Sequence, residues 1–242
     1  MNILLVVIII IILYFVFSWY FGGSDVTLSK MADGKTQTIV PASKLVSNSG
    51  SNNFTYSMWV YVNDWNYRYG EEKVLVARLN SDTKPSPAIS LGSVENNVII
   101  TISTYQNSVP PASTSTAVTP DNTSQVNTYY IRNIQLQKWV NIIVSVYGRT
   151  MDVYLDGKLV RTFVLPGVAK ISASSNAYIT PGGGFDGMTS NFRYWSNATN
   201  PQQAYDIYKS GFGGSVLGNL FNKYRLKISI IANNIEDGSI EI

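Results

Sequence analysis

The stretch from Ile3 to Phe21 reads ILLVVIIIIILYFVFSWYF, uncharged, with Ser18 as its one small polar residue. As a helix rising ~1.5 Å per residue it would be roughly 28 Å long, close to the ~30 Å hydrocarbon core of a bilayer. β-Branched residues dominate it and would favour a strand in water. In lipid every backbone amide must be satisfied within the segment, so a helix is expected. Trp19, Tyr20 and Phe21 fall where an aromatic belt meets the headgroups, and Gly22-Gly23-Ser24 ends the run before the first charge, Asp25. The expected anchor therefore includes Ile3, Leu4, Ile8, Ile12, Phe17, Trp19 and Tyr20. A cleaved signal peptide fits less well. Only Met1 and Asn2 precede the run, which exceeds the usual ~7–15 residues, and bulky aromatics stand where small cleavage-site residues are needed. A soluble core strand is rarely longer than ~10 residues. The chain thus divides into a transmembrane anchor with its Gly linker (1–24), one folded body (25–215) and a strand-like tail (216–242).

The body is rich in Tyr, Trp, Val, Ile and Gly and lacks long helical periodicity, which favours an all-β sandwich. Lys and Arg total 18 against 15 Asp and Glu, a net charge of +3 without a basic cluster, so a nucleic-acid partner is not expected. Cys and His are both absent. That excludes disulfides, thiol or Ser-His-Asp catalysis, and zinc sites built from these residues. It also leans toward assembly in a reducing compartment. The lysines after the anchor, Lys30, Lys35 and Lys44, place the body on the cytoplasmic side by the positive-inside rule. The sequons at Asn53, Asn122 and Asn197 argue the other way, but arise readily in an Asn/Ser/Thr-rich chain.

In chain order, short strands are expected at 36–40 and 44–46, on either side of Pro41. Phe54–Val62 (FTYSMWVYV) is the first strong strand. Phe54, Tyr56, Met58, Val60 and Val62 share one face, and Thr55, Ser57, Trp59 and Tyr61 the other. Both faces are largely apolar, which suits a central strand, and Trp59 and Trp139 read as core. Strands are expected at 74–79, 88–91 and 98–105, with Pro85-Ser86-Pro87 as a loop. Residues 107–128 read as a low-complexity loop or contact arm. Trp139 to Val164 alternates as a three-stranded meander, turned at Gly148-Arg149 and at Asp156-Gly157, a strong hairpin signal. Strands at 177–180 and 190–195 precede a short helix. Asn200 is its N-cap, Pro201 its first residue, Gln203 completes a capping box, Gly211 closes it, and Ala204, Tyr205 and Tyr208 form its apolar side.

Three of these segments carry a family resemblance: the strand FTYSMWVYV, the piece WVNIIVSVYGRTMDVYLDGKLVRT, and FDGMTSNFRYWSNATNPQQAYDIYKSG. Together, over residues 40–214, they resemble laminin-G-like, concanavalin A-like jelly rolls. The resemblance implies an antiparallel jelly-roll sandwich with one short helix on its C-terminal side, following the N-terminal transmembrane helix. The wording NDWNYRYGEEKVLVAR and YWSNATNPQQAYDIYKSGFGG further resembles membrane-anchored proteins of this fold in large DNA viruses of algae and amoebae. That resemblance implies a structural role in a virion, with the bilayer and capsid or other virion proteins as partners.

The fold hosts lectins, glycosidases and structural modules, so fold alone leaves function open. A glycosidase needs paired carboxylates across a cleft. Asp152 and Asp156 are the one close acidic strand pair, Asp156 is explained by its hairpin, and the Glu-x-Asp-x-x-Glu spacing of glucanases of this fold does not occur. No enzymatic activity and no cofactor are expected. Calcium is the one ion to consider, through the loop acids Asp64, Asp82, Asp121 and Asp186, although turn-forming Asp is commoner than a ligand. Trp65, Tyr67, Arg68 and Tyr69 form the one loop dense enough in aromatics to contact a glycan. Packing, or contact with a protein partner, is the favoured alternative for it. In the tail, Tyr224, Leu226, Ile228 and Ile230 alternate before an Asn233-Asn234 turn, giving a candidate partner strand.

Overall fold

The computed structural model describes residues 27–46, 51–105, 124–213, 227–232 and 235–241. The proposed anchor, Asp121, Asn122, Tyr224 and Leu226 lie outside them. Among the described residues no helix is long and apolar enough to cross a membrane.

Two antiparallel sheets face each other. The seven-stranded sheet is built from β1 (Thr27–Ser29), β13 (Asp186–Trp195), β4 (Phe54–Asp64), β9 (Trp139–Tyr147), β10 (Thr150–Leu155) and β11 (Lys158–Val164) in that order, with β2 (Ala32–Asp33) also paired to β13. The six-stranded sheet runs β3 (Thr38–Val40), β12 (Ala177–Ile179), β5 (Lys73–Leu79), β6 (Pro85–Leu91), β7 (Val98–Tyr105) and β8 (Ser124–Ile131). One flank of the sandwich is thus closed by strands of three residues or fewer, β1, β2 and β3. The opposite flank ends in β8, of eight residues, and β11, of seven.

Alternation in β4 and β9 places Phe54, Tyr56, Met58, Val60 and Val62, with Val140, Ile142, Val144 and Val146, in the inter-sheet core. Their second faces are apolar for a different reason. Helix α1 (Pro201–Lys209) and the chain up to Phe212 cover the outside of the seven-stranded sheet. Ile143 and Tyr154 pack there against Ala204 and Ile207. Trp59 stacks on Tyr208 at 5.5 Å between ring centroids, and Trp139 on Phe212 at 4.7 Å. Trp59 is therefore buried beneath the helix and outside the inter-sheet core, and Trp139 is half-buried beside it. The small polar residues of this face tie down the covering chain. Ser145 Oγ accepts from the Thr199 amide at 2.8 Å, Ser190 Oγ donates to the Phe212 carbonyl at 2.6 Å, and Asn191 Nδ2 donates to the Gly211 carbonyl at 2.8 Å.

The helix itself follows its expected cap. Asn200 accepts from the Gln203 amide, and the Gln203 side chain accepts from the Asn200 amide. Asn200→Ala is expected to lower stability by about 1 kcal/mol in urea unfolding, with the loss confined to the cap because the residue is exposed. The buried side of the helix is Ala204 and Ile207, whereas Tyr205 is 44% exposed. Tyr205 was expected inside. A nine-residue helix lying flat on a sheet buries a narrow stripe, and Tyr205 falls beside it.

Three further expectations are corrected. Residues 44–46 are not a strand: Pro41 starts a 3-10 turn over Ala42–Lys44 that drops Leu45 fully into the core. Pro85-Ser86-Pro87 is not a loop but the start of β6, where Pro85 pairs with Leu79 at the strand's first position, a place that tolerates a missing amide donor. Residues 124–128 belong to β8, which pairs in full with β7. The segment has few apolar residues because its inward positions, Gln125 and Asn127, lie at the rim of the core, where Asn127 Nδ2 donates to Thr104 Oγ1 at 3.1 Å. The tail forms a hairpin of β14 (Lys227–Ala232) and β15 (Ile235–Glu241), as the alternation predicted. Ile228 and Ile230 lie in β14, and the hairpin is a two-stranded sheet of its own.

Tyr56 lies fully buried at the sandwich centre, and burial pushes its hydroxyl pKa up to about 12, with the nearby Arg78 cation opposing the rise. A raised folded-state pKa means stability is complete below the unfolded value near 10 and is lost between about pH 10 and about pH 12. The loss expected there is about 3 kcal/mol. Tyr56→Phe should flatten this alkaline limb in pH-dependent urea titrations, while lowering stability at neutral pH by about 1 kcal/mol for the lost Arg78 hydrogen bond.

Candidate functional site

The aromatic loop after β4 is bolted to its neighbours. Trp65 is half-buried against the core and donates its Nε1–H to the Val94 carbonyl at 3.0 Å. The buried Lys73 ammonium sits 4.8 Å from its ring centroid, and burial holds that lysine's pKa below the ordinary value. Tyr67 donates to the Gly183 carbonyl at 3.2 Å, and its ring lies 4.7 Å from Lys35 Nζ. Arg68, at φ 52°, donates from Nη1 to the Gly182 and Gly184 carbonyls and pairs through Nη2 with Glu71 at 2.6 Å. The Pro181–Gly183 turn and Gly184 thus present a row of carbonyls to one guanidinium. Tyr69 alone of the four predicted contact residues is exposed, at 58%. The structure brings Trp65, Tyr67 and Arg68 together as a latch between loops, which matches the packing alternative. Sequence gave no sign of their anchor points, because Gly182, Gly183 and Gly184 contribute only backbone.

The loop acids are likewise engaged. Asp64 accepts from the Asn66 amide as a turn former. Asp82 accepts from Lys170 at 2.6 Å and from Ser124 Oγ at 2.7 Å, and these partners hold its pKa below the usual carboxylate value. Asp186 is lowered by its pairing with Lys35 and by Asn63 Nδ2 at 2.9 Å. Among the described residues no three acidic side chains gather as metal ligands. Asp152 accepts from Thr162 Oγ1 at 2.6 Å and Asp156 from the Asn141 amide at 2.9 Å, so both tie the meander together.

Two further surface features stand out among the described residues, and the sequence reading touched only the second, through the contact arm expected over 107–128. A groove of about 600 Å³ beside α1 is lined by Trp195, Lys44, Asn197, Gln203 and Asp206 among others. The open flank is the second. There Val126 (43%), Tyr130 (54%), Leu159 (49%) and Val164 (75%) stand exposed on the two long edge strands. Tyr129 and Phe163 close the gap between the sheets with ring centroids 4.7 Å apart. Arg132 and Arg161 are the charged residues lining the shallow cleft they form. Strand alternation could have located this flank had residues 124–128 been read as β.

No curated protein shows significant sequence similarity to this chain. Among solved structures, the ligand-binding domain of botulinum neurotoxin serotype D in complex with N-acetylneuraminic acid aligns with a TM-score of 0.53 at 11% identity, over 77% of this chain and 43% of that one. The receptor-binding domain of botulinum neurotoxin D aligns with a TM-score of 0.54 at 12% identity, over 75% of this chain and 43% of that one. At such identity the likeness is one of fold, and this chain spans less than half the length of those proteins. The model of the concanavalin A-like lectin/glucanases superfamily, of laminin-G type, matches residues 33–204. Two facing antiparallel sheets with the helix-covered outer face agree with that match, and the chain belongs to the concanavalin A-like lectin/glucanases superfamily.

Proposed function

We propose that this protein is a non-enzymatic, membrane-anchored structural component of a viral particle, whose jelly roll tethers an internal membrane to capsid proteins. The observation that carries the proposal is the open flank. Two long edge strands with exposed apolar side chains suit contact with protein, while the aromatic loop that would have offered a sugar platform is spent on internal contacts. The apolar stretch 3–21 supplies the membrane end, and its following lysines keep the body on the side where the shell would assemble. Detergent extraction of particles tests the anchor: the full chain should stay with the membrane in high salt and leave only with detergent. Release by salt alone would refute membrane insertion.

A lectin is the second reading, favoured by the Trp195 groove, where an aromatic ring adjoins amide, ammonium and carboxylate groups of the kind that bind sugars. The fold likeness to a domain solved with N-acetylneuraminic acid is consistent with it. A glycan array probed with the full chain separates the two readings. Reproducible sugar binding that is lost in Trp65→Ala or Tyr69→Ala, or in Trp195→Ala, would displace the structural proposal.

A further inference from the structure

We infer that β8 is a self-pairing edge, and that two copies of this chain join through antiparallel β8–β8 contact into one continuous sheet. The inference rests on reading the open flank as a protein-contact surface and names the partner of one of its strands. β8 pairs with β7 on one side only, so its other backbone edge is unused by the described sheets. The strand contains no charged residue, whereas exposed edges are ordinarily guarded by lysine or proline. The neighbouring edge β11 carries Lys158 and Arg161 and so has such a guard.

A two-fold axis fixes which residues meet. Side chains on one face must oppose side chains on the same face, so a residue of β8 lies on the axis. With Thr128 there, Val126 faces Tyr130 of the second copy, and Tyr130 faces Val126. This gives two aromatic/β-branched pairs between side chains that are 43% and 54% exposed. The same register sets Arg132 against Ser124 of the second copy. Ser124 donates to the Asp82 carboxylate at 2.7 Å, which Lys170 already neutralises at 2.6 Å, so the register rests on the apolar contacts and not on charge. An axis on Val126 or Tyr130 would leave Tyr130 or Val126, respectively, beyond the paired strand. An axis on Asn127 would set Tyr130 against Ser124, and one on Tyr129 would set Val126 against Arg132. Thr128 is the register in which each exposed apolar side chain of one strand meets one of the other.

The chain has no cysteine, so single-cysteine cross-linking of the full chain in detergent reads the register directly. Opposed residues of antiparallel strands lie within disulfide reach. Thr128→Cys should form a disulfide dimer on mild oxidation. Val126→Cys mixed with Tyr130→Cys should form the mixed dimer, and neither should do so alone. Leu159→Cys, on the other edge strand, should stay monomeric. Thr128→Lys places two ammonium groups at the axis and should weaken dimerisation in sedimentation at least about tenfold, with the circular dichroism of the folded domain unchanged. Failure of Thr128→Cys to cross-link, equal cross-linking at Leu159→Cys, or an unchanged dimer in Thr128→Lys would overturn self-pairing. A Thr128→Cys chain that cross-links to another particle protein instead would overturn it while leaving the tether proposal standing.

Discussion

Replacing Arg78 by alanine is expected to destabilise the domain by about 4 kcal/mol, most of the stability of a marginal domain. Arg78 is 1% exposed, and among the described residues no carboxylate pairs with it. Its charge is instead spread over polar oxygens. Nη2 donates to the Ser172 carbonyl at 2.7 Å and, more weakly, to the Leu45 carbonyl at 3.5 Å. Nε donates to the Ser175 carbonyl at 3.1 Å, and Nη1 to the Tyr56 hydroxyl at 3.3 Å. The Tyr194 ring lies 5.9 Å from the guanidinium carbon. One side chain thus pins the 3-10 turn before β4 and the loop before β12 to the middle of the six-stranded sheet. Its removal leaves several buried oxygens without donors and a cavity the size of an arginine side chain. Arg78→Met separates these causes, since it fills much of the space but donates nothing. A loss of about 2–3 kcal/mol in Arg78→Met would assign the larger share to the hydrogen bonds. A loss below about 1 kcal/mol in Arg78→Ala, measured by urea unfolding, would mean that the guanidinium's desolvation had cancelled its bonds.

Gly184→Ala is expected to cost about 3–5 kcal/mol, or to prevent folding. Gly184 has φ +47°, and a Cβ there would stand 1.9 Å from the Gly34 carbonyl oxygen, a backbone atom that cannot swing aside. A φ of +47° with ψ −129° lies outside the left-handed helical well and costs an alanine about 2–3 kcal/mol, and the forced backbone shift adds about 1–2 kcal/mol. That shift would break the hydrogen bond in which the Phe185 amide donates to the Gly34 carbonyl at 3.1 Å, and would move the carbonyl to which Arg68 donates. Gly182→Ala is the matched control. It sits in the left-handed well at φ +66°, ψ 29° with nothing within 4 Å of a new Cβ, so it should cost only about 1 kcal/mol. If the two variants unfold at the same urea concentration, the close approach of the loops around Gly184 is not what holds this end together. Limited proteolysis near Tyr69 should accelerate in Gly184→Ala and not in Gly182→Ala, because only the former disturbs the Arg68 latch.

The sandwich was legible where side chains announce their own burial. Phe54–Val62 alternates strongly enough to give a strand and its faces, Trp139–Val164 strongly enough to give a meander of three paired strands, and the Asn200–Gln203 box marks the helix start without tertiary help. Arg78 shows the opposite case. Nothing in VLVARL marks its arginine as buried, and its carbonyl partners come from residues more than thirty positions away. The aromatic loop was visible as a cluster but not as a latch, since its partners at Gly182, Gly183 and Gly184 present only backbone oxygens.

What the sequence determined by itself was whatever depends on short-range periodicity and residue chemistry. That covers the β class, the meander, the capped helix, the tail hairpin, the lack of thiol and imidazole chemistry, and an apolar N-terminal stretch of membrane-spanning length. What only the tertiary structure decided was which surfaces are left over once the sheets have paired. Residues 124–128 carry too few apolar groups to signal a strand, because an edge strand is recruited by its neighbour's backbone and not by burial of its own side chains. The asymmetry between a flank closed by short strands and a flank left open by β8 and β11 follows from strand order, which is a long-range property of the whole chain.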